Sequence, residues 1–363
     1  MLIQVVPHRT SAPDGIGDYA VNLATELRDR FDVQTLFVAG APPGEEVDRA
    51  DEWPTLRVAT RKSEALIDVL RKAVRQAPNA SLVLHISGYG YAPRGAPVWL
   101  ARGIQSWRAR NPQRCTIGIF HELYAKGPIT SSSFWLSGLQ KRVTKILWNN
   151  VDAAITTTPT YVAQLASWRP TAEARIIELP VPSTIGEPAS IPLYNERKNR
   201  AVVFGRNGVE DLIYRQNRDQ LIDALVALGV EEILDIGLRR AHVPETLGPI
   251  SIKALGRLDA NEISKLMLTS RFGVLSYDQK RLGKSTIFAA FASHGVVPIC
   301  IGASEPSQAA PERGKHFLAS PIGAATEIDL QSIQRALLIW YRTHDQAALS
   351  TAIARLIQAA RDD

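Results

Sequence analysis

Short apolar runs alternate with amphipathic helical patterns along most of the chain. In the first half, six runs rich in β-branched residues have the length of buried strands. They are residues 2–6, 33–39, 82–87, 115–120, 153–158 and 175–181. Between the second and third runs, apolar residues from Leu66 to Val74 recur at i, i+3, i+4, i+7 and i+8, which is typical of one helix face. The alternation predicts a parallel sheet covered by helices.

A stretch rich in proline and polar residues, from 181 to 200, has neither a helix nor a strand period. The α/β alternation then restarts, and strands are expected at 201–205, 233–237, 250–256, 272–277 and 296–301. Asp259 and Glu262 have the spacing of a capping box at a helix start. From about Leu330 we expect two helices, which can cross back to the first domain. The predicted fold is α/β, with two Rossmann-like domains at 1–185 and 186–363 that face each other across a cleft.

Composition narrows the class of protein only a little. The chain has 363 residues, 45% of them apolar and 21% charged, with a net charge of +6 that suits an anionic ligand or surface. Two cysteines, far apart, give no disulfide framework or zinc site and favour a reducing compartment, which we take as the cytoplasm. The first apolar run lacks the features of a secretory signal. Residues 285–304 carry no charged side chain, but His294, Gly295 and Pro298 interrupt them, so we do not expect a membrane span.

A glycine-containing turn follows the first predicted strand, where Asp14-Gly15-Ile16-Gly17-Asp18 opens a helix. Glycines at this point let backbone amides approach an anion, and the helix dipole favours negative charge there. The alternative is an ordinary tight turn between strand and helix. A third glycine is missing, so the motif is not a dinucleotide fingerprint.

Two histidines come at the ends of neighbouring predicted strands. His85 lies in the third, shortly before Tyr89, and His121 directly follows the fourth, beside Glu122. Placed at a cleft, such a histidine can hydrogen-bond a sugar hydroxyl or accept a proton. Each alone could equally be a structural histidine.

The second domain carries candidates for binding phosphate. Arg206 follows its first strand, Arg215 precedes the next helix, and guanidinium groups match phosphate oxygens. Further on, Gly283, Lys284, Ser285 and Thr286 stand where a helix begins, so that free amides, two hydroxyls and an ammonium group converge. Asp278 stands where a Walker A motif needs glycine, which excludes a P-loop ATPase.

A basic, aromatic segment from 132 to 150 predicts a helix that can rest on an anionic membrane face or hold an acidic acceptor. It combines Lys141, Arg142 and Lys145 with Phe134 and Trp135. The more common structure for such a pattern is a core-facing helix with a solvated basic side.

Together these features resemble a GT-B glycosyltransferase, and most closely the retaining family 4 group. The resemblance covers essentially the whole chain, through DGIGDYAVNLATEL, FHELYAKGP, VVFGRNG and ALGRLDANEISKLMLTSRFGVLSYD in this order. It implies transfer of a sugar from a nucleotide diphosphate sugar to a glycan, lipid-linked or small-molecule hydroxyl, with retention and with no bound metal or cofactor.

The resemblance also implies roles for single residues. Gly15 and Gly17 match the glycine loop near the donor phosphate, His121 the histidine that touches the transferred sugar, and Arg206 the arginine on the diphosphate. Arg215 replaces a lysine that is missing at Asp211. We expect His121, Arg206 and Lys284 to be catalytic and Gly283, Lys284, Ser285 and Thr286 to hold phosphate. Contacts with acceptor or sugar are expected from Asp18, His85, Tyr89, Glu122 and Asp278.

One departure from the family concerns its E-x7-E motif. Aligning Gly295 with the glycine that ends the family's helix puts Leu282 and Ala290 where the two acids should stand. Because polar contacts set ligand choice, this loss leaves open which donor is bound. Two alternatives follow, an inverting enzyme with His121 or Asp18 as base, and a silent homologue that binds a nucleotide or a protein. A nucleic-acid-binding protein is not expected, since no recognition motif is present.

Overall fold

The computed structural model describes residues 1–11, 14–42, 44, 52–125, 127, 132–170, 175–205, 208, 211–237, 243–302, 311–322 and 329–362. The chain divides into two compact units. The N-terminal unit comprises Met1–Pro180 and Gln346–Asp363, and the C-terminal unit comprises Val181–Asp345. The division therefore falls between Pro180 and Val181, earlier than the 185/186 boundary placed from the proline-rich stretch, and the last helix belongs to the N-terminal unit.

The N-terminal unit is a seven-stranded parallel sheet with the order β3-β2-β1-β4-β5-β6-β7. Its strands are β1 Leu2–Val6, β2 Thr35–Ala39, β3 Thr55–Arg57, β4 Ser81–Ile86, β5 Thr116–Phe120, β6 Ala153–Thr156 and β7 Arg175–Glu178. Its helices are α1 Gly15–Phe31, α2 Ser63–Gln76, α3 Gly88–Tyr91, α4 Val98–Arg110, α5 Ser132–Trp148, α6 Pro159–Trp168 and α11 Gln346–Asp362.

Apolar side chains cover both faces of this sheet, as expected of a parallel sheet. Leu66 of α2 and Ile104 of α4 pack with Leu84 in one cluster. Leu23 of α1 and Ile353 of α11 pack with the neighbouring residue Val83 in another. Successive residues of β4 thus point to opposite layers, because side chains alternate along a strand.

The C-terminal unit has a second seven-stranded sheet with the order β10-β11-β9-β8-β12-β13-β14, parallel except for the β10–β11 pair. Its strands are β8 Lys198–Phe204, β9 Glu232–Ile236, β10 Thr246–Leu247, β11 Ile250–Gly256, β12 Ser270–Ser276, β13 Val297–Ile301 and β14 Leu318–Ala319. Its α-helices are α7 Arg218–Ala227, α8 Ala260–Leu268, α9 Thr286–Ser293 and α10 Leu330–Arg342. Residues Asp211–Gln216 form a π-helix, and Tyr194–Glu196 and Gln279–Lys284 form 3-10 helices.

The predicted α/β class with two Rossmann-like units is confirmed, and the predicted strands all exist. β1 and β11 have the predicted bounds, whereas the end of the run at 175–181 is not strand, since β7 stops at Glu178. The capping box before α8 is confirmed. Asp259 accepts a hydrogen bond from the amide of Glu262 at 2.8 Å, and Glu262 accepts one from the amide of Asp259 at 3.0 Å. The edge strands β3, β10 and β14 were not predicted from the sequence.

No helix in the described part of the chain is long and apolar enough to cross a membrane.

Candidate active site

Each sheet has one point at which its strand order reverses, and that point lies at the sheet's first strand. In the N-terminal unit the chain runs from β1 to β2 and β3 and then returns to place β4 on the other side of β1. In the C-terminal unit β8 lies in the same way between β9 and β12. Ligands of open α/β sheets bind beyond the carboxyl ends of the strands at such points. In this chain, such ligands are therefore expected beside the segments that follow β1 and β4 and beside those that follow β8 and β12.

The glycine turn after β1 begins α1, and an acidic side chain caps it. The Asp14 carboxylate accepts hydrogen bonds from the amides of Gly17 at 2.9 Å and Ile16 at 3.4 Å. Burial raises the pKa of Asp14 above its usual value, although the bond from Gly17 opposes this. Gly15 is exposed, whereas Gly17 is buried against Asp14. The Gly17 amide, one of the expected phosphate donors, is thus already hydrogen-bonded to a carboxylate in this structure.

The two histidines expected at the site contact each other. Nδ1 of His85 lies 3.2 Å from Nε2 of His121, and the imidazole rings stack with their centroids 5.5 Å apart. Tyr19 of α1 packs edge-on against both rings. His121 is partly exposed, but His85 is completely buried, and its Nε2 atom lies 2.8 Å from Oε1 of Gln4. Both nitrogens of His85 are therefore engaged within the protein, which places this side chain behind His121.

The other three predicted residues of the N-terminal unit line the same edge. Asp18 is partly exposed on α1 and accepts a 3.3 Å hydrogen bond from the amide of Asp14. Tyr89 in α3 is 46% exposed, and its hydroxyl accepts a hydrogen bond from Gln140. Glu122 is exposed directly after His121. All three follow β1, β4 or β5, where the carboxyl ends of adjacent parallel strands bring them to one edge.

In the C-terminal unit, the segment after β12 builds the predicted helix start. Asp278 accepts a hydrogen bond from the amide of Lys280 and begins the 3-10 helix. Ser285 then caps α9, since its Oγ accepts a hydrogen bond from the amide of Phe288 at 3.1 Å. The amides of Thr286 and Ile287 donate no hydrogen bond to the described residues. Lys284 is partly exposed beside them, and the Gly283 carbonyl accepts from the amide of Val181. This is the chemistry of an anion site.

The segment after β8 lies beside it, because β8 and β12 pair in parallel. Arg206, the predicted diphosphate ligand, lies outside the described residues. Arg215 falls in the π-helix, is 67% exposed and forms a 3.2 Å ion pair with Asp211. Its guanidinium group is therefore accessible, and an exposed pair of this kind contributes little to stability.

Sequence reasoning missed two residues, one inside the N-terminal sheet and one after β13. Gln4 points into the sheet core toward His85, and its only sequence signal is a polar residue within an apolar strand. Gly302 follows β13 with φ of 97°, in the left-handed region, and its amide donates a 2.9 Å hydrogen bond to Gln220. A Cβ there would contact Ser276 and Asn217. These contacts bring the loops after β8, β12 and β13 together.

Leu282 and Ala290, which the alignment on Gly295 places at the family's two acidic positions, lie in the core. Leu282 is 1% exposed and Ala290 is fully buried, in one cluster with Phe288 and Phe291. Neither side chain can form a polar contact with a ligand.

Among the described residues no group of three or more His, Cys, Asp or Glu side chains is arranged to hold a metal ion. The absence of a metal or cofactor in catalysis stays a prediction.

Solved structures with this fold cover nearly the whole chain. An alpha-glucosyltransferase in complex with UDP and a 13-mer DNA containing an HMU base matches with a TM-score of 0.61 and 11% identity over 99% of both chains. The lipopolysaccharide outer core galactosyltransferase WaaB, in its apo form, matches with a TM-score of 0.58 and 10% identity over 99% of both chains. A glycosyltransferase from Rickettsia africae ESF-5 matches with a TM-score of 0.56 and 8% identity over 100% of this chain and 98% of its own. At these identities the likeness establishes the fold.

A match to a family model indicates the activity. Residues 14–182, just under half of the chain, match the glycosyl transferase 4-like domain. The protein is a GT-B glycosyltransferase. The matched range begins at Asp14 of this glycosyltransferase and includes both His85 and His121. No curated protein sequence matches the glycosyltransferase significantly.

Proposed function

We propose that this glycosyltransferase moves a sugar from a nucleoside diphosphate sugar to a hydroxyl group of a glycan, lipid-linked or small-molecule acceptor, with retention of anomeric configuration and without a metal. The anion site after β12 carries the proposal, because amides of α9, Ser285 and Lys284 meet at the point where the strand order reverses. UDP is the nucleotide bound in the alpha-glucosyltransferase with the same fold, which makes UDP the first candidate.

In the proposed reaction the C-terminal unit stabilises the leaving group. The bond from the anomeric carbon to the diphosphate oxygen breaks and a bond to the acceptor oxygen forms. The acceptor's proton leaves with the nucleoside diphosphate. Lys284, Arg206 and Arg215 neutralise the charge that develops on the diphosphate, and one such contact typically contributes about 2.7 to 4 kcal/mol to transition-state stabilisation. The N-terminal unit supplies His121 for a hydroxyl of the transferred sugar, and Asp18, Tyr89 and Glu122 for acceptor or sugar.

The first experiment is a thermal-shift panel with UDP, GDP, ADP, TDP and CMP, followed by turnover of the matching nucleotide sugars with and without EDTA. A nucleotide present at 100 times its dissociation constant stabilises the folded protein by about 2.7 kcal/mol. We expect one nucleotide to shift the melting temperature and its sugar conjugate to be turned over despite EDTA. Turnover within a few-fold of the parent in Arg206→Ala would contradict the role of Arg206.

Product stereochemistry separates two mechanisms. Retention of the donor's anomeric configuration, read by NMR of the product, supports the proposal. Inversion identifies the alternative in which His121 or Asp18 removes the acceptor proton.

A second candidate, a nucleotide-binding homologue without transferase turnover, is favoured by one observation. Leu282 and Ala290 are buried and apolar where the family's acids would hold sugar and ribose. Binding of a nucleoside diphosphate without turnover of any nucleotide sugar would establish this candidate. We do not propose DNA as the sugar acceptor. Added duplex DNA is therefore expected to leave turnover unchanged.

We also propose that the enzyme works in the cytoplasm, at the surface of an anionic membrane. Both cysteines are buried free thiols, as expected in a reducing compartment. At the start of α5, Phe134, Trp135 and Leu139 are exposed, Trp135 by 73%. Lys141 and Lys145 follow on the same helix, with Nζ of Lys145 5.5 Å from the ring centroid of Trp168. Apolar side chains followed by cations suit an interface with anionic lipid.

Vesicle flotation tests this contact. We expect binding to phosphatidylglycerol vesicles, weaker binding to phosphatidylcholine vesicles, and loss of binding in Trp135→Ser. Ile339→Ser is the matched control, because Ile339 is a 60% exposed apolar residue on α10. Equal binding of Trp135→Ser and the parent would contradict this contact.

A further inference from the structure

A buried glutamine of α5 joins the segments that follow β4 and β5. Gln140 is only 1% exposed. Its Nε2 atom donates one hydrogen bond to the carbonyl of Arg94 at 2.9 Å and another to the hydroxyl of Tyr89 at 3.2 Å. Its Oε1 atom accepts a 2.8 Å hydrogen bond from the amide of Ala125. The oxygen and both hydrogens of this amide are thus bonded within the protein, as burial of a polar group requires.

Two of these contacts fix the orientation of the Gln140 amide. A carbonyl can only accept, so the atom that faces the Arg94 carbonyl is the nitrogen. A backbone amide can only donate, so the atom that faces the Ala125 amide is the oxygen. The nitrogen therefore donates its second hydrogen to Tyr89. The hydrogen of the Tyr89 hydroxyl itself has no acceptor among the described residues, and this side chain is 46% exposed.

Glycines after β4 leave the space that this contact needs. Gly95 has a φ of 68°, and a Cβ there would lie 2.7 Å from Nε2 of Gln140 and 2.9 Å from the ring of Tyr89. A Cβ on Gly88 would lie 2.3 Å from the carbonyl oxygen of Gly95. A side chain at either position would displace the backbone or the Tyr89 ring. The Tyr89 hydroxyl is therefore held from both sides, and its hydrogen is directed away from Gln140.

The charge around this hydroxyl is positive. Arg94 is exposed, and its guanidinium group forms no hydrogen bond or ion pair with the described residues. Its carbonyl and the Tyr89 hydroxyl bond the same nitrogen, so both residues belong to one part of the surface. Residues 87–97, residues 121–125 and α5 contain one carboxylate, that of Glu122, and the four cations Arg94, Lys141, Arg142 and Lys145. Such an excess of cations favours an anionic ligand.

We propose that Tyr89 and Arg94 bind a phosphate group of the acceptor, and that Gln140 is the positioning residue that directs the Tyr89 hydrogen toward it. A phosphate oxygen accepts hydrogen bonds from a hydroxyl and from a guanidinium group alike. The phosphate belongs either to a lipid headgroup or to a soluble phosphate ester. That the ligand is the acceptor rests on the proposed function, whereas phosphate binding at this point does not.

NMR of the intact protein with 15N-labelled glutamine tests the direction of the hydrogen bond. Gln140→Met identifies the two side-chain amide hydrogen signals of Gln140. In Tyr89→Phe we expect one of them to move to the position of an unbonded hydrogen, while the other, bonded to Arg94, stays. Tyr124→Phe is the control, because the Tyr124 hydroxyl bonds Gln164 instead. Two unchanged signals in Tyr89→Phe would show that Gln140 does not donate to Tyr89, which would overturn its positioning role.

Phosphate binding is read from the Tyr89 signal in protein with 13C-labelled tyrosine, which Tyr89→Phe assigns. Excess UDP is present to fill the anion site after β12. We expect inorganic phosphate, but not chloride at equal ionic strength, to shift this signal to saturation. Arg94→Met should weaken the binding about tenfold or more, because a hydrogen bond to a charged group is lost. Gln140→Met, once its urea unfolding shows it to be folded, should weaken it too.

Arg110→Met is the matched control for charge, since Arg110 is an exposed arginine at the end of α4. Equal phosphate binding by Arg94→Met and Arg110→Met, or no saturable shift in the parent, would overturn the site.

Two further ligands distinguish the sources of phosphate. These are glycerol 3-phosphate and dihexanoyl phosphatidylglycerol, the latter below its micelle concentration. Tighter binding of the phospholipid identifies a lipid headgroup, and equal binding identifies a soluble phosphate ester. Binding of neither would contradict the proposal.

Calorimetry with UDP separates this site from the donor site. We expect Arg94→Met to bind UDP as the parent does, and weaker binding would overturn the assignment to the acceptor. If the parent itself binds no UDP, the proposed donor is wrong, and the Tyr89 signal still decides whether phosphate binds here.

Discussion

The carboxylate of Asp14 accepts a hydrogen bond from the amide of Gly17 at 2.9 Å, so the first helix of the glycosyltransferase is capped by a negative charge. The neutral hydroxyl of Ser285 caps α9 in the other unit. A phosphate group near Asp14 would meet a carboxylate, whereas one near Ser285 meets amides and Lys284. This difference favours α9 as the helix that binds the diphosphate.

The cap of α1 can be tested with alanine variants at two glycines of its first turn, Gly15 and Gly17. A Cβ on Gly17 would lie 2.8 Å from Oδ2 of Asp14, whereas one on Gly15 would meet nothing within 4 Å. Both alanine variants gain helix propensity. Only Gly17→Ala displaces the Asp14 cap, and such a cap contributes about 1 kcal/mol to the free energy of unfolding. We expect Gly17→Ala to be less stable than Gly15→Ala by about this amount in urea unfolding. Equal stabilities would show that Asp14 caps the helix in another rotamer.

Lys284 is expected to be the main cation of the anion site after β12. Lys284→Met should weaken UDP binding about tenfold or more, because a hydrogen bond to a charged group contributes about 1.5 to 3 kcal/mol. Lys315→Met is the control, since Lys315 is an exposed lysine paired with Glu312. Isothermal titration calorimetry measures both. The site is misassigned if the two variants bind UDP equally well.

Two buried histidines make the stability of the C-terminal unit depend on pH. Burial lowers the pKa of His294 to about 4 and that of His344 to about 3. In the unfolded chain both histidines have the usual pKa of about 6.5. Between pH 6.5 and pH 4 the unfolded chain therefore binds protons that the folded chain does not, and stability falls as the pH falls. We expect a loss of up to about 3 kcal/mol for each histidine at pH 4, measured by urea unfolding from pH 7 downward.

A variant of His344 tests whether the buried histidines cause the loss of stability at low pH. Its Nε2 atom is buried and has no hydrogen-bond partner among the described residues. His344→Phe should therefore reduce the slope of stability against pH below pH 6.5 while costing little at pH 7. An unchanged slope would mean that other groups cause the acid sensitivity.

Arg197 is a buried cation that holds the start of β8 in place. Its guanidinium group, in a side chain 3% exposed, donates to the carbonyls of Pro192, Met267, Ser270 and His294. Arg197→Met removes all of these hydrogen bonds, although the Pro192 carbonyl still accepts from Gln334, and we expect a loss of about 3 kcal/mol in urea unfolding. Arg281→Met, at an exposed position, should be nearly neutral. Arg197→Lys is also expected to be destabilised, because an ammonium group cannot reach carbonyls in so many directions.

The sequence predicted the elements that local pattern specifies. β1 and β11 are five- and seven-residue apolar or alternating runs, and periodicity over such lengths is a strong signal. The caps at Asp259 and Ser285 involve residues three apart, so they too are visible locally. The two- and three-residue strands β3, β10 and β14 are too short for any period, and they exist because a longer neighbouring strand supplies hydrogen bonds.

The candidate site was visible from the sequence only in part. The order of glycines, histidines and cations after successive strands indicated which sheet edges carry the candidate residues, since parallel strands end on one side of a sheet. The tertiary structure decided what those residues do there. It placed His85 behind His121 and gave it Gln4, 81 positions away, as partner. It also added α11 to the N-terminal unit. Hydrogen-bond partners and packing across such separations depend on which strands become neighbours, and no local pattern of hydrophobic and polar residues contains that information.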